Sequence, residues 1–241
     1  MDMDLIELWS HMNNLVRGVV LILTLQALGC IAVVIDRVLL LALSNAKSRK
    51  FAAEAGPMLA SGDYSAARRI AKKHDGSHLA SLIGTGVEVF EKRKAQGHDS
   101  EKAADFVRRA LERKGENLSS SLHRGMNILA STGSTAPFIG LLGTVLGILN
   151  AFTLIAEEGS GGMGTIGAAI GEALIVTGYG LMVAIPAVLL FNWLNSRIDK
   201  YEAGLANAGS ELVDQLEGGQ LPAEDDEAPA TSASTSMVSV A

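Results

Sequence analysis

Ile166-Gly-Ala-Ala-Ile-Gly-Glu-Ala-Leu-Ile-Val-Thr-Gly-Tyr-Gly-Leu-Met-Val-Ala-Ile-Pro-Ala-Val-Leu-Leu-Phe-Asn-Trp193 decides the class of this chain. It is apolar over more than the roughly 20 residues that a helix needs to cross a bilayer. One residue breaks the pattern. Glu172 is a carboxylic acid inside that stretch, and an acid near the middle of a membrane helix costs roughly 2.5–3.5 kcal/mol on insertion scales. Residues of this kind face a bundle interior or an aqueous pathway, where they handle ions; the blander reading is an acid that only hydrogen-bonds between helices.

Two further stretches repeat the apolar pattern. The first span covers residues 18–43 and contains Val19-Val-Leu-Ile-Leu-Thr-Leu-Gln-Ala-Leu-Gly-Cys-Ile-Ala-Val-Val-Ile35, followed by Asp36 and Arg37. The second covers 128–156 and the third 166–194, leaving a short loop at 157–165. The fold class is therefore an all-α membrane protein with three transmembrane helices. The whole chain is 48% hydrophobic with 26 glycines and only 5% aromatic residues, a composition that suits closely approaching membrane helices.

Lysine and arginine placement orients the spans. Lys47, Arg49, Lys50 and Arg124 flank the long 44–127 region, and the 157–165 loop carries Glu157 and Glu158 but no basic residue. The positive-inside rule puts 44–127 and the C-terminal side, with Arg197 and Lys200, in the cytoplasm, and the N-terminus and the 157–165 loop outside. The mixed charges of 44–127 read as solvated helix faces and not as a nucleic-acid surface.

That region is expected to be helical. Asp63 and Ser100 are the expected N-caps, and the helix after Ser100 is expected to run on into span two, with Gly115 and Gly125 as its weak points. The helix of span three is expected to continue over 195–217 as a cytoplasmic extension. Residues 218–241 are acidic, small and Pro-containing, the composition of a disordered tail. At the other end Leu5, Leu8, Trp9, Met12, Leu15 and Val16 share one helical face, so 1–17 reads as an amphipathic helix that lies on the membrane or packs on a neighbouring subunit.

Span two carries Gly140, Gly143 and Gly147 at closely spaced positions; Gly143 and Gly147 form a GxxxG pair, a signature of close helix contact. Three spans with one carboxyl do not enclose a pathway alone, so the chain is expected to oligomerise through these faces. Thr144 lies on the Gly140 stripe, and spacing favours a bond back to its own helix over a role in a water chain. Glu172 and Thr177 point about 140° apart at 100° per residue, so one helix does not turn both to a single lumen. Pro137 and Pro186 each remove a backbone donor and loosen the helix around them. Cys30 is a lone cysteine in an apolar run, and the five histidines form no ligand set, so no metal or cofactor is expected. No His-Glu-x-x-His or Gly-x-Ser-x-Gly is present, and the apolar spans hold no paired aspartates, so the chain does not read as an intramembrane enzyme.

Gly133-Ser-Thr-Ala-Pro-Phe-Ile-Gly-Leu-Leu-Gly-Thr-Val-Leu-Gly-Ile148 and Glu172-Ala-Leu-Ile-Val-Thr-Gly-Tyr-Gly-Leu-Met-Val-Ala-Ile-Pro-Ala187 resemble the second- and third-span signatures of the ExbB/TolQ (MotA/TolQ/ExbB) proton-channel family. The resemblance implies a pentamer whose second and third spans line a pore, with partner helices of the single-span ExbD/TolR type inside it. Thr144, Glu172 and Thr177 match the family's polar pore positions, and Pro137 and Pro186 its prolines. Tyr179 departs from the small or aliphatic residue expected in its slot. The role implied is a proton-driven motor subunit of the bacterial inner membrane acting on a TonB- or TolA-like or motility partner. The alternative is a non-conducting membrane scaffold that keeps the fold.

Overall fold

The computed structural model describes residues 12–158 and 163–218. Residues 1–11 of the expected 1–17 surface helix and 219–241 of the expected tail lie outside the described residues, and residues 14–17 open the first described helix. The described chain forms six helices: α1 Asn14–Ala60, α2 Tyr64–Lys73, α3 His78–Ala95, α4 Ser100–Leu122, α5 Met126–Glu158 and α6 Met163–Glu217. No strand occurs among the described residues. Three helices, α1, α5 and α6, contain windows long and apolar enough to cross a membrane, and the chain is an all-α membrane protein.

The helices outrun the spans. At 1.5 Å per residue the 47 residues of α1 and the 55 of α6 reach roughly 70 and 80 Å, against about 30 Å of hydrocarbon. No breaker stands at Leu43 or at Leu194, so neither helix ends where its apolar run does. Helix α1 even passes Pro57. Helices α5 and α6 likewise extend into the 157–165 segment expected as loop.

The chain divides into two compact units, one of residues up to Asp36 with Gly125–Leu194, the other of Arg37–Arg124 with residues from Asn195 onward. The first unit is an up-down-up bundle. Helix α5 runs antiparallel to α1: Asn13 Nδ2 donates to Asn150 Oδ1 at 2.8 Å at one end, and Gly125 lies against Val33 at the other. It is antiparallel to α6 as well, with Gly147 at Ala173, Gly143 at Val176, Gly140 at Thr177 and Gly180, and Gly133 at Val188. Helices α1 and α6 are thus parallel, and Val16, Val19, Leu23, Ala136, Val176 and Val183 fill the space between the three.

The second unit follows the rules of water-soluble helices. Asp63 Oδ1 accepts from the Ala66 amide at 2.9 Å, the Ser77 hydroxyl from Ala80 at 3.0 Å and Asp99 Oδ1 from Lys102 at 2.8 Å, each capping the helix that follows. The cap of α4 is therefore Asp99, and Ser100, the expected cap, is the first helical residue. Phe51, Leu79, Ile83, Val87, Leu122, Ile198, Leu212 and Leu216 are buried together with the Ala positions of α4.

The expected single helix from Ser100 into span two is two helices. Helix α4 stops at Leu122, and Gly125 adopts φ +83°, a left-handed conformation that a side chain resists. Arg37 secures the end of α4: its Nη1 donates to the carbonyls of Ser121 at 2.6 Å and Leu122 at 3.4 Å, two of the acceptors that a helix C-terminus leaves open. Gly115, the other expected weak point, lies within unbroken helix.

Candidate functional site in the three-helix bundle

The buried side of α6 in the first unit is a stripe of Ala173, Val176, Gly180, Val183, Ala184 and Ala187. Glu172 stands at the margin of that stripe, about 40° around the helix from Val176, and is half-buried. Its neighbour Ala173 occupies the hollow at Gly147, where an added Cβ would lie 2.7 Å from the Ala173 methyl. The acid is thus held at the edge of the seam between α5 and α6 by small residues that bring the two backbones together.

Thr177 points to the other flank. Its Oγ1 donates to the Gly140 carbonyl of α5 at 2.9 Å. A Cβ on Gly140 would sit 3.2 Å from the Cα atoms of both Thr177 and Gly180, so glycine is what lets the hydroxyl reach. Glu172 and Thr177 are separated as their helical spacing requires. Thr144 donates to its own Leu141 carbonyl at 2.7 Å, the local bond that spacing favours. These three positions are therefore not brought into one cluster within a single chain.

Glycine brings helices of the same chain together. The stripe Gly140, Gly143 and Gly147, expected to supply contacts between copies, is occupied by α6 of the same chain, with Gly143 facing Val176 and Val19. The faces left outward are large and apolar: Phe138, Leu141, Leu142, Val145 and Leu149 on α5, and Leu174, Leu181, Met182 and Ile185 on α6. Pro137 and Pro186 sit within unbroken α5 and α6, where they release the carbonyls of Gly133 and Met182 from helical bonds.

One polar contact escapes the sequence pattern. Tyr179, seven residues after Glu172 and so on nearly the same stripe, brings its hydroxyl to 3.0 Å from Thr24 Oγ1 of α1. Thr24 in turn donates to the Val20 carbonyl at 2.8 Å, which leaves its oxygen to accept from Tyr179. The phenol is engaged between α1 and α6, half-buried, and this explains how the bundle takes a large side chain in that slot. The signal available is a lone threonine seven residues after Arg17 on an apolar helix. With α1 and α6 parallel, the same two-turn step sets Arg17 level with Glu172.

The interior between the three helices is apolar; among the described residues of this unit Thr132 is a buried polar side chain, and Glu172, Thr177 and Tyr179 are half-buried. Such a bundle offers a proton a titratable group at its edge.

Sequence comparison gives the family context. A profile described as the MotA/TolQ/ExbB proton channel family matches residues 82–207, more than half of the chain. Similar proteins include the biopolymer transport protein ExbB of Xanthomonas campestris pv. campestris, 48% identical over 92 residues, 38% of this chain and 36% of that protein. The ExbB of Pseudomonas putida is 39% identical over 113 residues, 47% and 33% of the two chains. That of Neisseria gonorrhoeae is 55% identical over 71 residues, 30% and 32%. The aligned part spans about a third of the length of these relatives.

Proposed function

The chain belongs to the MotA/TolQ/ExbB proton channel family, and from that premise we propose that it is the pore-forming stator subunit of a proton-driven motor in the bacterial inner membrane. Several copies, five by the resemblance, surround single-span helices of the ExbD/TolR type. Proton flow between copies and partner drives relative motion, and that motion does mechanical work in the envelope through a TonB- or TolA-like or motility partner. The N-terminus and the 157–165 segment face the periplasm, and 44–127 and 195–217 the cytoplasm.

The observation that carries this reading is Glu172. It is an acid in a membrane helix, at the rim of a seam and not inside the closed core, where a second chain can share it. Thr144 and Thr177 complete the proposed pore lining: Thr144 is half-exposed, and Thr177 keeps an acceptor lone pair beyond its bond to Gly140. Gly140, Gly143, Gly147, Pro137 and Pro186 set helix packing and its capacity to shift.

The bonds of both threonines to backbone carbonyls also suit a non-conducting scaffold. The Glu172→Gln variant separates the two. A conducting subunit, reconstituted with its partner, loses most of its proton flux at unchanged abundance; flux equal to wild type removes Glu172 from the path, and full motor output from the Glu172→Gln variant with no flux through the wild-type complex shifts the assignment to the scaffold.

A further inference from the structure

In the second unit four hydroxyls and one imidazole are linked where α1, α6 and the start of α3 meet. Ser44 Oγ lies 3.0 Å from His78 Nδ1, 2.8 Å from the Tyr201 hydroxyl and 3.2 Å from the His78 amide nitrogen. Tyr201 is 3.4 Å from Ser48 Oγ, and Ser48 is 3.0 Å from Ser77 Oγ, the cap of α3. Ser44, Ser48 and Ser77 are each 2% exposed and Tyr201 5%, so water does not complete this network.

The donors and acceptors balance when His78 is neutral and carries its proton on Nε2. With His78 neutral, Nδ1 accepts the single O–H of Ser44, and the two lone pairs of Ser44 accept from the His78 amide and from Tyr201. With His78 protonated, Nδ1 becomes a donor, and three donors converge on two lone pairs. Ser44 must then turn its O–H to Tyr201, Tyr201 its own to Ser48, and Ser48 its own to Ser77, which already accepts from Ala80. The new charge also faces like charge. Burial, then Lys114 on α4 and Arg37 on α1, hold the imidazole below its ordinary value of 6.5; the titratable group facing it from α6 is Tyr201.

We propose that Ser44, His78 and Tyr201 form a pH-sensitive clasp between α1, α3 and α6: proton uptake by His78 reverses the hydroxyl chain and loosens the grip of α6 on α1. A histidine whose folded-state pKa is depressed lends stability at pH above 6.5 and withdraws it as pH falls through the folded value, so the clasp opens on acidification. On the orientation proposed above, the compartment sensed is the cytoplasm, the side that receives protons. That last step rests on the proposed function; the opening itself does not.

The test is hydrogen exchange of the full-length protein in lipid nanodiscs from pH 7.5 to 5.5, with rates corrected for intrinsic pH dependence. Amides flanking Ser44 and Tyr201 should exchange faster at lower pH, by no more than about tenfold per pH unit, the limit for one linked proton. In His78→Asn, whose carboxamide oxygen replaces Nδ1 as a permanent acceptor, the corrected rates should stay flat. Carbon-13 histidine spectra of the wild type give a second readout: the opening midpoint should coincide with the titration of His78. Unchanged wild-type protection across the range, equal opening in His78→Asn, or opening while His78 stays neutral would each overturn the clasp, whether or not the protein conducts.

Discussion

The two units solve one problem, holding helices together, by opposite means. In the first, contact is set by atoms that are missing: a Cβ on Gly180 would lie 2.7 Å from the Ala136 carbonyl, and one on Gly133 would lie 2.5 Å from Val188. In the second, contact is set by atoms that are present, the packed Phe51, Leu79 and Leu212 side chains and the Asp63, Ser77 and Asp99 caps. Helix α6 takes part in both and shows where the rule changes. Its buried stripe runs on through Ala187, Leu194, Ile198, Tyr201 and Leu205, while its outward side turns from Leu189 and Trp193 to Arg197 and Lys200. The solvent is thus written on the outward face alone. In hydrocarbon, apolar burial drives no helix association and close van der Waals approach has to serve; in water the buried side chain itself drives packing.

The sharpest way to break this contrast is to make the same truncation in each unit. Phe51→Ala, at a position 1% exposed, should cost about 3–5 kcal/mol in chemical denaturation of the second unit, whereas Phe138→Ala, at 71% exposed, should stay within about 0.5 kcal/mol. Comparable losses at both sites would refute the division. Adding an atom is the reverse experiment. Gly180→Ala pushes a methyl into the backbone of α5 and should lower detergent-melting stability by roughly 1–3 kcal/mol; an unaffected melting curve would show that α5 and α6 are not pressed together at this point. A smaller change tests the second unit's reliance on caps. Ser77→Ala should cost about 1 kcal/mol through the lost cap of α3, and should also weaken the pH dependence of exchange near Tyr201. The smallest effect has the opposite sign. Gly115→Ala, in open space within α4, should stabilise by about 0.4–1 kcal/mol, read as a higher unfolding midpoint.

Acid should separate the units further. The Asp63 and Asp99 carboxyls are held below their ordinary 3.8 chiefly by the backbone amides they cap. Their contribution is complete above that value and is lost only as pH falls beneath it. The His78 contribution begins to go from 6.5 downward, so two acid steps, in that order, are expected in the second unit.

The three spans are legible because an apolar run as long as a bilayer is thick seldom folds as anything but a membrane helix, and Glu172 because it contradicts its surroundings. Asp63 is legible as a cap from its place ahead of an amphipathic run. Asp99 and Ser100 are harder to tell apart, since both residue types cap helices and only the geometry picks the one that reaches the third amide. The break at Gly125 is visible as a glycine but not as a left-handed one; Gly115 looks the same in sequence and stays helical. What spacing does not supply is pairing. Gly143 and Gly147 announce a close contact without saying whether the second helix is this chain's α6 or another copy's. The ties of Thr24 to Tyr179 and of Ser44 to Tyr201 join residues more than 150 positions apart, with nothing local to mark them.

The glycine seam also bears on heredity. Every single-base change in a glycine codon that alters the amino acid, without ending the chain, introduces a Cβ. At Gly133, Gly140, Gly143, Gly147 and Gly180 that atom would come within 3.2 Å of a neighbour, so no missense step there is neutral to the geometry. The outward leucines and valines of α5 and α6 drift among apolar kinds at far smaller cost. Populations carrying this gene should therefore accumulate amino-acid variation around the bundle's circumference and almost none along its seam, and sequencing of natural isolates would register the seam as a line of invariant glycines whose codons vary only at the silent third base.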